Sequence, residues 1–417
     1  MEIKRDKYLE KLLVRRNNGM IKIITGIRRC GKSYLLFRLF ADKLLADGID
    51  EEHIIRMELD RYENKDFRNP DVLYSFVKNK LKDKGQYYLL LDEVQLLPEF
   101  ESVLNSFLHI PNLDVYVTGS NSRFLSSDII TEFRGRGDQI RVAPLTFAEI
   151  YNFSGKSYQQ LLPEFLRFGG MPLVVLMKSE EQKKEYLQSL FDNVYINDVV
   201  ERNGIKLKED LDDLVNVLAS VTGSITNAHK IADTFKSKKQ SSCSYCTIAR
   251  YIDFLKDAFM ISEAKRYDIK GRRYINVGRK YYFADHGLRN ARLNFMQSDK
   301  SFLMENLVYN ELKSRGYSVN VGIVERTERN AQGIRQKKQY EVDFIAERAE
   351  RKYYIQSCMQ INTTEKLEQE LASLKYIDDS FRKVIIRQDL AFSAPDDSGI
   401  YHIRLEDFLL KENNLDY

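Results

Sequence analysis

The chain has 417 residues, 43% hydrophobic and 30% charged, with a net charge of +4. That length predicts two or three domains with separate cores, and so small a net charge does not by itself demand a nucleic-acid partner. Apolar runs such as Leu173-Val174-Val175-Leu176-Met177 are too short to span a bilayer, Met1-Glu2-Ile3-Lys4-Arg5-Asp6 lacks the form of a secretion signal, and four cysteines make no disulfide framework, so a cytoplasmic protein is expected.

The first element is the apolar run Met20-Ile21-Lys22-Ile23-Ile24-Thr25, followed by Gly26-Ile27-Arg28-Arg29-Cys30-Gly31-Lys32-Ser33 and a helical stretch from Tyr34. Strand, G-x-x-x-x-G-K-S loop and helix in that order form the pattern of a P-loop. The two glycines let the backbone curl so that its N–H groups, from Gly26 to Tyr34, face the triphosphate of ATP, and the helix dipole adds positive potential. Lys32 is expected to reach the β- and γ-phosphates, and Ser33 to bind Mg²⁺. A plain glycine turn is the alternative, and the strand-to-helix context argues against it.

A helix is predicted through about Ala46, a strand over 53–59 and a helix over 72–82. Tyr87-Tyr88-Leu89-Leu90-Leu91-Asp92-Glu93 then reads as a buried parallel strand tipped by two acids. Asp92 is placed to hold the Mg²⁺ shell with Ser33, and Glu93 to orient or deprotonate the attacking water. Taken alone, Glu93 also fits a solvated loop acid. Pro98 opens a predicted helix over 99–109, and 113–118 is the next strand. Ser120 and Asn121 at its tip fit a hydrogen bond to the water or γ-phosphate, or a helix N-cap. In Phe133-Arg134-Gly135-Arg136-Gly137-Asp138, glycines free two arginines on a loop. Arg136, ahead of Arg134, is the candidate to stabilise charge on the γ-phosphate, in cis or from a neighbouring subunit; a solvated basic turn is the alternative. Repeated βα units predict an α/β fold, a parallel sheet with helices on both faces and its ligand at the carboxyl ends of the strands.

The GIRRCGKS loop, LLLDEVQ, VTGSNS and FRGRG, with RFGGMP (167–172), KYYFADHGLR (280–289) and YEVDFIA (340–346) further on, resemble the AAA-family ATPases of archaea and bacteria that carry a C-terminal domain of uncharacterised function. The resemblance spans nearly the whole chain. It implies an ATP-binding core over 1–146, a helical lid or linker over 147–222, a winged-helix-like module over 223–290 and a restriction-endonuclease-like fold over 291–417.

The residues of these later parts agree with that division. From 147 to 218 the pattern is helical, interrupted by the turn or hinge Gly169-Gly170-Met171-Pro172. Helices are predicted over 228–236 and 244–258, the second with Ile248, Tyr251, Ile252 and Leu255 as an apolar stripe. Strands over 260–267 and 280–284 flank Lys270-Gly271-Arg272-Arg273. Helix, helix and basic hairpin outline a winged helix. Lys236, Lys238, Lys239, Arg250, Arg272 and Arg273 are its candidate contacts to double-stranded DNA, with a solvated face or a protein-contact module as the alternative. Cys243 and Cys246 have C-x-x-C spacing without a second pair, so they read as core or helix-start residues rather than zinc ligands. A thiol at Cys30, inside the phosphate loop, offers oxidation a route to block nucleotide entry.

Near the end, strands are predicted over 341–345 and 352–358, and the polar block 326–338 as an extended loop. Restriction-like nucleases place an aspartate on the first such strand and (D/E)-x-K on the second. Here the second reads Gln356-x-Cys358, which leaves Glu305 and Asp343 as metal contacts and removes one carboxylate and the lysine. A degenerate nuclease fold used for binding or assembly is expected. The whole chain then reads as an Mg²⁺-dependent ATPase whose nucleotide state controls DNA- or protein-binding modules, self-associating or meeting a protein partner, with no membrane role. The alternatives are a nucleotide-switched DNA-binding regulator with little turnover, and a nuclease.

Overall fold

A computed structural model describes residues 2–119, 135–239, 243–296, 300–329 and 335–416, the side chains of 237–239 and 276–277 excepted. Ser120, Asn121 and Arg134 lie outside the described residues. The chain divides into two compact units, Met1–Leu145 with Asp257–Met260, and Thr146–Lys256 with Ile261–Tyr417.

The first unit is α/β. Strands β1 (Ile21–Thr25), β2 (Ile54–Glu58), β3 (Tyr87–Asp92), β4 (Leu113–Thr118) and β5 (Gly137–Arg141) form a parallel sheet in the order β2-β3-β4-β1-β5. Every residue of β1, β3 and β4 is buried, as strands covered on both faces require. One face packs Ile23, Leu89, Leu91 and Val117 against Leu73 and Val77 of helix Pro70–Lys80 and Leu104 and Phe107 of helix Phe100–Phe107. On the other, Tyr116 meets Phe40 at 4.6 Å between ring centroids. Phe40 belongs to the helical run 32–46, which widens into a π-turn over Leu35–Phe40.

Lys22 interrupts this apolar interior. Its Nζ pairs with Asp114 of β4 and donates to the Met20 carbonyl at 2.9 Å. Burial pulls the ammonium below its ordinary pKa, with Asp114 opposing the shift. Pro98 does not occupy the first turn of its helix. Glu99, left-handed at φ 51°, turns the chain, and the helix begins at Phe100.

The second unit opens on helices Phe147–Ser154 and Tyr158–Phe168, each started by a reciprocal capping box, Thr146 with Glu149 and Ser157 with Gln160. Further helices run to Tyr245–Asp257. Gly169 and Gly170 form a docking point rather than a bare hinge. Gly170 N–H donates to Asp285 Oδ2 at 2.7 Å, and a Cβ on Gly169 (φ 71°) would stand 2.2 Å from Asp285 Oδ1. Asp285 also caps helix His286–Arg292 by accepting from Leu288 N–H at 3.1 Å.

Strands β6 (Ile261–Asp268), β7 (Arg273–Phe283), β8 (Ser318–Arg329), β9 (Arg335–Arg348), β10 (Arg351–Cys358), β11 (Arg382–Arg387), β12 (Ala394–Pro395) and β13 (Tyr401–Arg404) join one sheet, in the order β12-β13-β11-β10-β9-β8-β6-β7. The basic hairpin β6–β7 is therefore the edge of the sheet that carries Asp343 and Gln356. The block 326–338 is not a loop: β8 and β9 pair antiparallel out to Arg329 opposite Arg335. Its exposed residues carry no apolar alternation because this end of the ladder faces solvent.

Candidate nucleotide-binding site

The loop leaving β1 bends through three residues of positive φ, Gly26 (145°), Arg29 (63°) and Gly31 (97°). Gly26 is required sterically, since a Cβ there would lie 2.1 Å from the Val142 carbonyl oxygen. Lys32, 4% exposed, folds its ammonium into the curl and donates to the carbonyls of Gly26 (3.0 Å) and Ile27 (3.2 Å). Ile27 and Cys30 are buried, and Cys30 Sγ sits 3.5 Å from the Val142 carbonyl. That burial removes the exposure on which an oxidation-sensitive thiol depends. Arg28 and Arg29 are exposed, and Tyr34, also exposed, donates its hydroxyl to Glu2 at 2.7 Å.

Because β4 lies between β1 and β3, the tip of β4 stands between the phosphate loop and the acid pair. Thr118, the last residue of β4, donates its hydroxyl to Asp92, and the same oxygen accepts from Glu93 N–H at 3.2 Å. Asp92 is 3% exposed; burial raises its pKa, while hydroxyls of Thr118 and Ser33 oppose the rise. Glu93 is left-handed (φ 51°), a conformation costly for a side chain of its type, and its carboxylate accepts from Gln95. Glu58 at the tip of β2, with Asp60, extends the acidic edge: carboxylate oxygens of Glu58, Asp60 and Asp92 lie within 4.8 Å of one another.

Sequence reading missed three of these contributors. Thr118 closes a strand ending in a hydroxyl residue, the one signal available. Glu58 and Asp60 end a strand as Asp92 does. Arg5 carries no motif at all, yet it is buried and its guanidinium donates to the carbonyls of Cys30 (3.1 Å) and Ala143 (2.9 Å). Arg136 does not join the loop of its own chain. Its carbonyl accepts from Ile21 N–H at the opening of β1, whereas the loop leaves the far end of that strand. Five residues of extended chain, about 16 Å, separate the two, so a role in cis is ruled out. Arg141, in register with Thr25, is the β5 arginine at the loop end.

In the second unit, Lys236, Arg250, Arg272 and Arg273 are exposed; Arg273 lies 3.8 Å from Asp268, and the side chains of Lys238 and Lys239 are outside the described residues. Among the described residues, Cys243 is buried and Cys246 exposed, and neither falls in a group of potential metal ligands. Glu305, on helix Lys300–Ser314, and Asp343 do converge. Gln356 turns away from them: its Oε1 accepts from Asp343 N–H (3.2 Å) and its Nε2 donates to Glu370 (3.2 Å). No described helix is long and apolar enough to cross a membrane.

Residues 18–151 match the model of an AAA domain, and residues 159–299 that of a domain of unknown function, DUF8612. The chain is 31% identical to an uncharacterised protein of Haemophilus influenzae over 98% of its own length and 99% of that protein's. It is 30% identical to the uncharacterised protein MJ1544 of Methanocaldococcus jannaschii over 86% and 79%. Among solved structures it is similar, loosely, to the Aeropyrum pernix ORC1 protein in complex with DNA (12% identity, 70% of this chain and 93% of that one, TM-score 0.29) and to Cdc6p of Pyrobaculum aerophilum (12%, 73% and 94%, TM-score 0.29). The chain belongs to one family with the Haemophilus and Methanocaldococcus proteins, and its first unit is a P-loop AAA domain of the nucleotide-binding ATPase type.

Proposed function

We propose that this protein hydrolyses ATP with Mg²⁺ and that its nucleotide state controls a DNA- or protein-binding C-terminal region. The observation that carries the reading is the meeting of the phosphate loop, Ser33, Asp92 and Glu93 at one edge of the sheet, bridged by Thr118. Gly26, fitted so closely that a methyl group has no room, supports a cradle built for backbone contact with phosphates. The hydroxyl of Ser33 and the carboxylate of Asp92 are the hard oxygen donors that Mg²⁺ takes. When bound, the ion neutralises charge on the β- and γ-phosphate oxygens. Lys32 moves its ammonium from the loop carbonyls to phosphate oxygens. Glu93, released from Gln95, orients the attacking water and accepts its proton. Arg136 of a second copy would act in trans, which requires self-association.

The reading is tested by Glu93→Gln. Steady-state ATPase should fall by two or more orders of magnitude while calorimetric ATP affinity stays within a few fold. Unchanged turnover would sink it. For the C-terminal region, exposed Arg272 at the tip of the β6–β7 hairpin favours duplex DNA as ligand. Affinity should then fall with rising salt, and Arg272→Ala should reduce that slope. A slope unaltered by the substitution leaves a protein partner as the reading. With Gln356 turned away and no lysine at position 358, the restriction-endonuclease-like part is read as a binding module without nuclease activity.

A further inference from the structure

Lys280 is the most deeply buried cation of the second unit's sheet, at 3% exposure, and three carboxylates surround it. From β7 its Nζ reaches Glu305 Oε1 at 2.7 Å on helix Lys300–Ser314, and Glu341 Oε1 at 2.5 Å and Asp343 Oδ1 at 3.9 Å on β9. The remaining lone pairs are served by the chain. Tyr282 donates its hydroxyl to Glu305 at 2.6 Å, and Ser357 donates both N–H and hydroxyl to Asp343 Oδ2 at 2.9 Å. An approach of acids from separate elements to one small cationic centre is how hard divalent ions are held. Here the centre is an ammonium group from a neighbouring strand.

We propose that the Glu305–Glu341–Asp343 cluster is a divalent-cation site whose cation is supplied by the chain itself, as the ammonium of Lys280. The inference rests on the non-nuclease reading above and gives it a cause: a metal cannot enter while the lysine is in place. Charge balance agrees. Three carboxylates share one cation, so one of them keeps a proton near neutrality: burial, with Asp343 adding, pushes Glu305 up to about 7 although Lys280 and Tyr282 draw it back. Burial works against the lysine's charge, and the carboxylates of Glu305, Asp343 and Glu341 outweigh it. A metal with two positive charges would satisfy the same acids more fully, provided the lysine's volume were vacated.

The test uses the full chain carrying Asp92→Asn, so that the nucleotide site does not contribute, with manganese alone as probe. The lysine-bearing protein should show no calorimetric manganese uptake and no change in Tm at millimolar manganese. Lys280→Ala should lose several degrees of Tm and recover them with manganese, in an Asp343-dependent way. Lys280→Met, which fills the space without charge, should stay destabilised and manganese-insensitive. If Lys280→Ala does not fold, refolding with manganese reads out the same claim: rescue supports it, and no rescue overturns it. Manganese uptake by the lysine-bearing protein that Asp343→Asn abolishes also overturns it. A separate plasmid-cleavage assay judges the non-nuclease reading: Asp343-dependent cutting by the unaltered protein defeats that reading, whereas failure of Lys280→Ala to bind manganese, without any cutting, defeats the lysine proposal alone.

Discussion

Thr118 Oγ1 ties Asp92 to Glu93: it donates to the Asp92 carboxylate and accepts from the Glu93 backbone N–H at 3.2 Å. One hydroxyl thus fixes both the acid placed to hold the metal and the peptide that carries the acid placed to direct water. Thr118→Val keeps the shape and removes both bonds. Turnover should fall about 10- to 100-fold, as for other groups that orient metal ligands, with ATP affinity much less affected. The unsatisfied N–H and carboxylate should also cost about 1–3 kcal/mol of stability. Thr118→Ser should restore most of the activity. Kinetics of the three proteins, with Tm alongside, check this; equal turnover in Val and Thr forms would show the bridge to be idle.

Gly26 separates steric need from simple flexibility. At φ 145° only glycine is comfortable, and the missing Cβ would overlap the Val142 carbonyl. Gly26→Ala combines about 1–3 kcal/mol of backbone strain with a clash that must displace either the loop or the β5 exit. ATP binding should be lost by calorimetry, with Tm lowered. Gly155, the left-handed C-cap of Phe147–Ser154, has nothing within 4 Å of its would-be Cβ. Gly155→Ala should therefore cost only about 1–2 kcal/mol and leave ATP binding unchanged.

The phosphate loop and the acid-tipped strand were legible because each couples a periodic apolar run to an abrupt chemical break, and both sit where that pattern places them. The βα alternation likewise announced the parallel sheet. What stayed hidden depends on partners far apart in the chain. Lys22 interrupts an apolar run, and only its pairing with Asp114 across the sheet explains its burial. The lysine beside Glu305 and Asp343 was not legible, because Lys280 comes from an edge strand whose neighbours only the folded sheet reveals. The 326–338 block read as a loop because a two-stranded ladder in solvent needs no apolar face.

Adjacent buried groups in the second unit titrate in opposition. Burial pushes Asp285 up to about 6, against donation from the N–H groups of Gly170, Leu288 and Gly287. Burial, with Arg289 adding, pushes His286 down to about 4, against its bond to the Leu303 carbonyl. Between about pH 4 and 6 the folded state holds the Asp285 proton that the unfolded state has released, so this group's stabilisation falls as pH rises. Over about pH 4 to 6.5 the unfolded state binds a proton at His286 that the folded state refuses, so stability from this group grows as pH rises. Each effect is worth about 3 kcal/mol at full extent, and they nearly cancel. His286→Gln should make stability fall more steeply from pH 4 to 6 than in the unaltered protein, and Asp285→Asn should make it rise more steeply. Denaturant titrations across that range decide the matter; parallel profiles for all three proteins would contradict the opposition.

Arg5 fastens the phosphate loop from outside every recognisable motif. One arm of its guanidinium donates to the Cys30 carbonyl at 3.1 Å and another to the Ala143 carbonyl at 2.9 Å, while the group stacks 4.5 Å from the centre of the Tyr8 ring. Tyr8 in turn accepts from Ala143 N–H at 3.1 Å. Two carbonyls on separate segments are bridged by a planar fork, which a lysine cannot reproduce. Arg5→Lys keeps the charge and loses the bridge, so ATP affinity should weaken about 5- to 30-fold, in line with the loss of one or two hydrogen bonds at about 1–2 kcal/mol in all. Glu93-dependent turnover at saturating ATP should stay within a few fold, because Arg5 touches neither Asp92, Glu93 nor Thr118 in the contacts it makes to the loop. Measuring Kd and kcat on Arg5→Lys separates the two effects: a loss confined to kcat would mean that the fork acts on the chemistry rather than on the shape of the cradle.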